Sequence, residues 1–173
     1  MDIMLDLETM GVGSNAAIIA IGAVSFDING VNSQFYEKVN LESSVKCGGE
    51  IDPSTVMWWM SQSDDARNVF LDEGDSVDLS NALLRFSAWC VEENVENVWG
   101  CGSTFDNVII SNAFARCRIE KPWPFWSDRC YRTVRDMFPN VPFERFGTHH
   151  NALDDARTQA IHLVKILNSL GGV

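Results

Sequence analysis

Hydrophobic positions change period along the chain, and the change separates a strand-rich first third from a helix-rich remainder. Residues 3–8 end in apolar–polar alternation, Leu5-Asp6-Leu7-Glu8, residues 17–26 form an apolar and β-branched run, and residues 33–39 follow a polar break. Asp27-Ile28-Asn29-Gly30 lies between the second and third segments. Asn-Gly is a strong tight-hairpin signal, so these segments are expected as an antiparallel meander. Asp52 followed by Pro53 predicts a helix N-cap with proline in the first helical position, opening a helix over 54–61. Ser63 opens a second short one.

From Asp78 onward, Leu79, Ala82, Leu83, Phe86, Trp89 and Cys90 recur at helical spacing. Residues 95–101 read as a short buried strand, 105–117 as a helix, 126–132 as a weak fifth strand and 134–138 as a helical turn before Pro139. The last helix, 153–167, carries Leu153, Ala156, Ala160, Val164 and Leu167 on one stripe. Three strands followed by alternating helix and strand predict an α/β fold of the ribonuclease H-like kind, a mixed five-stranded sheet flanked by helices. No repeat, low-complexity tract or long linker interrupts the chain, so residues 1–173 are expected to form a single domain.

Chemistry enters at Asp6-Leu7-Glu8. On a strand, residues two apart share a face, so both carboxylates project together from an otherwise apolar segment. Their repulsion is relieved by a shared proton or a cation, and hard divalent ions prefer carboxylate oxygens. Alone, the tripeptide is equally the polar face of a half-exposed edge strand. Near the other end, His149-His150-Asn151-Ala152-Leu153-Asp154-Asp155-Ala156 places a histidine five residues before an aspartate at the start of a helix. Five helical residues would turn the two well apart, so the histidine is expected on the preceding loop, above the aspartate. Asp106 lies between a buried strand and a helix, where an acid also serves as an ordinary partner of the helix dipole. Spacing does not choose between His149 with Asp154 and His150 with Asp155.

The set Asp6-x-Glu8, Asp106, and His150-x-Ala152-x-x-Asp155-Ala156 resembles the DEDDh 3′ to 5′ exonucleases, the group that includes the proofreading subunit of bacterial replicative polymerase and oligoribonuclease. The resemblance spans Asp2 to about Leu167. Glu8-Thr9-Met10-Gly11, Gly48-Gly49-Glu50-Ile51-Asp52, Trp58-Trp59 and the segment from Pro122 to Cys130 resemble a narrower group. It comprises phage and prophage exonucleases of the exodeoxyribonuclease VIII-like kind and a similar mycobacterial exoribonuclease.

The resemblance implies that Asp6, Glu8 and Asp155 bind a metal, with Asp106 helping to position a second ion. Two Mg²⁺ or Mn²⁺ ions per site would serve hydrolysis of nucleic acid 3′ ends to nucleoside 5′-monophosphates, with His150 as general base. The family pattern also selects His150 and Asp155 over the neighbouring pair. Thr9, Met10 and Gly11 are implied contacts of the terminal nucleotide, Met10 against its base, and Asn107 a contact of sugar or phosphate. DNA is the first expected substrate, from the phage-like subgroup, with RNA the alternative. A catalytically silent binding module and a small-nucleotide phosphohydrolase are the readings from other classes.

Trp58 and Trp59 are about 100° apart on one helix, so both cannot face the core, and one is expected to be free to stack on a base or a partner chain. Trp123 and Trp126 are read as core, with stacking the alternative. Charge sharpens the picture. The chain carries a formal −11, which argues against a general backbone-coating protein, yet residues 116–146 hold seven basic against four acidic side chains. Arg129, Arg132 and Arg135 in that stretch are candidates to guide a phosphate backbone. The five cysteines have no metal-binding spacing and are read as free thiols in a reducing compartment. No apolar run is long enough for a membrane span and Met1-Asp2 lacks a basic start, so a soluble protein of the bacterial or phage-infected cytosol is expected. The chain could act alone or as a homodimer.

Overall fold

The alternating N-terminal segment becomes the centre of the sheet. The computed structural model describes residues 1–70 and 73–171. Its strands are β1 (Asp2–Thr9), β2 (Ile18–Asp27), β3 (Gly30–Lys38), β4 (Asn97–Gly100) and β5 (Asp128–Cys130), in the spatial order β3-β2-β1-β4-β5. β1, β2 and β3 pair antiparallel, and β4 and β5 continue the sheet parallel to β1. This is the expected mixed five-stranded sheet. The hairpin forms where the Asn-Gly signal stands, with Gly30 at φ +141° pairing back to Asp27.

The helices are α1 (Leu41–Lys46), α2 (Pro53–Met60), α3 (Asp64–Arg67), α4 (Leu79–Glu92), α5 (Asp106–Arg116), α6 (Tyr131–Met137) and α7 (Ala152–Ser169). Asp52 caps α2 by accepting from Ser54 N–H at 2.8 Å, and Ser63 caps α3, as predicted. α1 was not predicted: its six residues show no apolar period, and its main local signal is Asn40, which caps it through Ser43 N–H. The fifth strand is shorter than expected. Residues 125–127 form a 3-10 turn after Pro124, and Tyr131 already opens α6, its hydroxyl in hydrogen-bond contact with His162 Nδ1 at 2.7 Å.

Strand parity assigns the two faces of the sheet. Ile3, Leu5 and Leu7 pack with Leu83 and Phe86 of α4 and Ile109, Ile110 and Phe114 of α5. Met4, one residue out of phase, packs with Ala156, Ala160 and Leu163 of α7 and Tyr131 of α6. Asp6 and Glu8 share the parity of Met4, so both carboxylates face α7. Gly22 pairs with Asp6 across β1 and β2. A Cβ on Gly22 would lie 2.2 Å from the backbone carbon of Ala152, so its absence lets the first turn of α7 rest on the sheet beside Asp6. No helix among the described residues is long and apolar enough to cross a membrane.

Candidate active site

Three carboxylates converge where β1 meets α7. One oxygen each from Asp6, Glu8 and Asp155 lies within 4.8 Å of the others. β1 supplies the first two by parity. The third comes from the first turn of α7, which Asn151 caps by accepting from Leu153 and Asp154 N–H. Burial and mutual repulsion act together on these acids. Desolvation, then Asp106, Glu8 and Asp155, raise the Asp6 carboxyl well above the ordinary range; desolvation, Asp155 and Asp106 push Glu8 up to about 8. Such a buried anion cluster is stable with protons or with a cation, and all-oxygen donors fit a hard divalent ion such as Mg²⁺ or Mn²⁺.

Asp106 stands beside this set but not in it. The pairing of β1 with β4 ends at Leu5 and Gly100, and Asp106 Oδ1 takes the next N–H on that edge, from Leu7, at 3.1 Å. Its Oδ2 accepts from Cys101 N–H, also at 3.1 Å. Desolvation raises its carboxyl to about 7 against the lowering effect of those bonds. A buried acid thus anchors α5 to the strand that carries Asp6 and Glu8, and adds negative charge next to them.

The loop before α7 covers the carboxylates. His150 adopts a left-handed backbone, φ +62°, and its N–H donates to Asp155 Oδ2 at 3.0 Å. Burial, then His149, lower its imidazole pKa, with Asp155 opposing. Asp154 faces the other way: its Oδ2 accepts from Thr148 N–H at 2.7 Å, and it packs against Gly147, where φ is +71° and a Cβ would meet the carboxylate at 2.2 Å. The geometry therefore separates the two aspartates, with Asp155 turned to the carboxylate set and Asp154 holding the loop.

An open cavity of about 690 Å³ surrounds these groups, lined also by Thr9, Gly11, Trp58, Trp59, Arg132, Arg145 and Gln159. Trp59 is 3% exposed and its Nε1 donates to the Thr9 carbonyl at 2.9 Å; Trp58 is 39% exposed, its ring edge-on to His150 at 4.8 Å. One tryptophan is core and its neighbour is available, as the helical spacing required.

The structure sets several of the expected residues away from the cavity or the core. Met10 is set away from the cavity, buried at 6% among Ala17, Ile19 and Trp59. Asn107 is also set away from the cavity, buried at 1%, and donates to the Val98 carbonyl and Asp128 Oδ1. Trp126, read as core beside Trp123, is 67% exposed. Of the three arginines expected along a phosphate path, only Arg132 lines the cavity. Arg129 donates to the Trp126 and Asp128 carbonyls, and Arg135 pairs with Asp136.

Two contributors were missed as members of the site. Gln159 Nε2 donates to Asp6 Oδ1 at 2.8 Å, while its buried Oε1 has no hydrogen-bond partner among the described residues. Its signal was its position four residues after Asp155, one turn along the same helix face. Arg145 forms an ion pair with Asp155 Oδ1; in the sequence it is one of the seven basic residues of 116–146.

Comparison with known proteins extends this picture. The family model of the 3′-5′ exoribonuclease Rv2179c-like domain matches residues 1–167. An exodeoxyribonuclease of Enterobacteria phage T4 is 25% identical over 193 aligned positions, covering 90% of this chain and 85% of the relative. Among solved structures, exonuclease X in complex with 5′ overhanging duplex DNA aligns with a TM-score of 0.57 and 16% identity over all of this chain and 95% of the other. A full-length 3′-exonuclease aligns with a TM-score of 0.61 and 13% identity over 97% of this chain and 60% of the other. These two likenesses establish the shared ribonuclease H-like fold. The chain belongs to the family of 3′-5′ exoribonuclease Rv2179c-like domains and is a DnaQ-like 3′-5′ exonuclease.

Proposed function

We propose that the chain is a single catalytic domain that removes nucleoside 5′-monophosphates from DNA 3′ ends, with Asp6, Glu8 and Asp155 holding divalent metal and His150 as general base. The observation that carries this reading is the convergence of the three carboxylates beneath the His150 loop. Asp6, Glu8 and Asp155 are the direct ligand candidates for a pair of Mg²⁺ or Mn²⁺ ions, and Asp106 holds the strand between them. Bound there, the metal supplies Lewis-acid activation of water and neutralises charge at the scissile phosphate.

The protein's own residues do the rest. The neutral imidazole of His150 accepts a proton from the attacking water as the new bond to phosphorus forms and the bond to the 3′ oxygen breaks. The lowered proton affinity of His150 keeps that acceptor free near neutral pH. Thr9 and Gly11 flank the terminal nucleotide, Trp58 offers a ring face for a base, and Arg132 faces the phosphate. His150 is preferred over His149 because its backbone N–H is bonded to Asp155 Oδ2 and it is the less exposed of the two. All five cysteines are free thiols, which suits a reducing cytosol.

RNA is the second reading, favoured by the description of the family model. DNA is favoured by the phage relative's name. The test is digestion of 5′-labelled single- and double-stranded DNA and RNA of one sequence, with Mg²⁺, Mn²⁺ or EDTA. A ladder shortening from the 3′ end is expected, fastest on DNA. Faster shortening of RNA would transfer the assignment to RNA, and no metal-dependent shortening of either polymer would end it.

A further inference from the structure

Above Asp155 a second group of donor atoms meets, and the proposed hydrolysis uses only part of it. The rings of His149 and His150 stack with centroids 3.7 Å apart and planes 22° apart. One ring nitrogen from each and one oxygen of Asp155 lie within 4.8 Å of one another. Neighbouring residues of an extended chain point to opposite sides. Here the left-handed backbone at His150, φ +62°, folds the chain so that both imidazoles face the same way. His149 is exposed, which gives an ion a path from solvent, and it has no part in the reaction described above.

Two imidazoles and a carboxylate are a different donor set from the all-oxygen triad below. Mg²⁺ favours oxygen and retains its waters, whereas zinc and other late first-row cations take imidazole nitrogen readily. We propose that His149, His150 and Asp155 form a binding site for Zn²⁺ or a similar late first-row ion, and that its occupation inhibits the exonuclease. Inhibition follows because the ion occupies His150 and diverts Asp155 from the carboxylate set. Arg145 is paired with Asp155 Oδ1 and His150 N–H with Oδ2, so an ion entering there competes with a guanidinium on one side. The binding claim stands on the donor set alone, and the inhibition claim rests on the exonuclease reading.

The test is calorimetric titration of the whole protein with Zn²⁺ and, separately, Mg²⁺, together with Mg²⁺-supported hydrolysis in increasing Zn²⁺. His149→Asn is expected to weaken Zn²⁺ binding by at least about tenfold while leaving Mg²⁺ affinity and Mg²⁺-supported activity within about twofold. Asp6→Asn is expected to do the reverse to the two affinities. Micromolar Zn²⁺ should then inhibit the wild-type protein and spare His149→Asn. Equal Zn²⁺ affinity in wild type and His149→Asn would overturn the site. Unequal affinity with equal Zn²⁺ sensitivity of hydrolysis would overturn the inhibition. A Zn²⁺ difference in a protein that hydrolyses no nucleic acid would support the site and overturn both the inhibition and the exonuclease reading.

Discussion

The backbone N–H of His150 donates to Asp155 Oδ2 at 3.0 Å, so the loop that carries the proposed base is tied to the helix that carries a proposed metal ligand. Position of the imidazole and position of the carboxylate are therefore set together. Removal of the His150 ring by His150→Ala leaves that backbone bond in place. Steady-state kinetics with Mg²⁺ should show kcat reduced about 10²- to 10⁴-fold with KM little changed, the scale of a lost general base. His149→Ala should remain within about threefold under the same conditions. If the two variants exchange these behaviours, the base is His149.

The pH dependence has a defined direction. Burial and His149 lower the His150 pKa below its ordinary 6.5, so the neutral imidazole persists through neutral pH. The acid limb of kcat in Mg²⁺ should fall below 6.5 and disappear from the His150→Ala profile. An unchanged limb in that variant would assign it to another group.

Metal should matter more to stability as pH rises. Glu8 binds its proton up to about 8 in the folded protein against an ordinary 4.5. Between those values the folded chain holds more protons than the unfolded one, so this contribution is complete below 4.5 and is lost as pH rises through 8. Asp6 and Asp106 shift in the same direction. A divalent ion replaces those protons. Thermal unfolding in EDTA and in Mn²⁺ should show a rise in Tm of several degrees, about 2–4 °C per kcal/mol, larger at pH 8 than at pH 6. A metal-induced rise that is equal at both pH values would count against the buried cluster as the binding site.

Gln159→Leu removes the hydrogen bond to Asp6 Oδ1 while keeping a similar volume on α7. A hydrogen bond to a charged group contributes about 1.5–3 kcal/mol, so activity should fall roughly 10- to 100-fold. The Mg²⁺ concentration for half-maximal activity should rise, because Asp6 loses its restraint. An unchanged Mg²⁺ requirement would make Gln159 a packing residue only.

Gly22→Ala tests the seat of α7. The added Cβ would fall 2.2 Å from the Ala152 backbone, which is not a flexible group and must move away. Denaturant unfolding should show a loss of about 1–3 kcal/mol, as for other overpacked sites. The folded fraction should also lose activity, since Asp155 moves with the helix.

Much of this site could be read from the chain because its logic is periodic. Two-residue parity placed Asp6 and Glu8 on one face, and helical angle separated Trp58 from Trp59. Met10 escaped that logic because the β1–β2 register shifts between Glu8 and Thr9, so alternation no longer tells which way the next side chain turns. Asn107 adjoins Asp106, but one helical step of about 100° turns its amide to the Val98 carbonyl of β4 and to Asp128. Gly22 has no motif of its own. Its importance depends on a helix 130 residues later in the chain settling against it. Gln159 and Arg145 needed the same tertiary information: each is an ordinary polar residue until the fold brings Asp6 or Asp155 to it.

The most direct measurement is single-turnover cleavage of a 5′-labelled single-stranded oligonucleotide by wild type and Asp155→Asn, in Mg²⁺ and in EDTA. The wild-type protein should shorten the strand stepwise from its 3′ end in Mg²⁺ only, and Asp155→Asn should be slower by at least about 10³-fold, on the scale of a lost metal-assisted step. Shortening by Asp155→Asn at the wild-type rate, or wild-type shortening that persists in EDTA, would contradict the assignment of Asp6, Glu8 and Asp155 as the metal-holding centre.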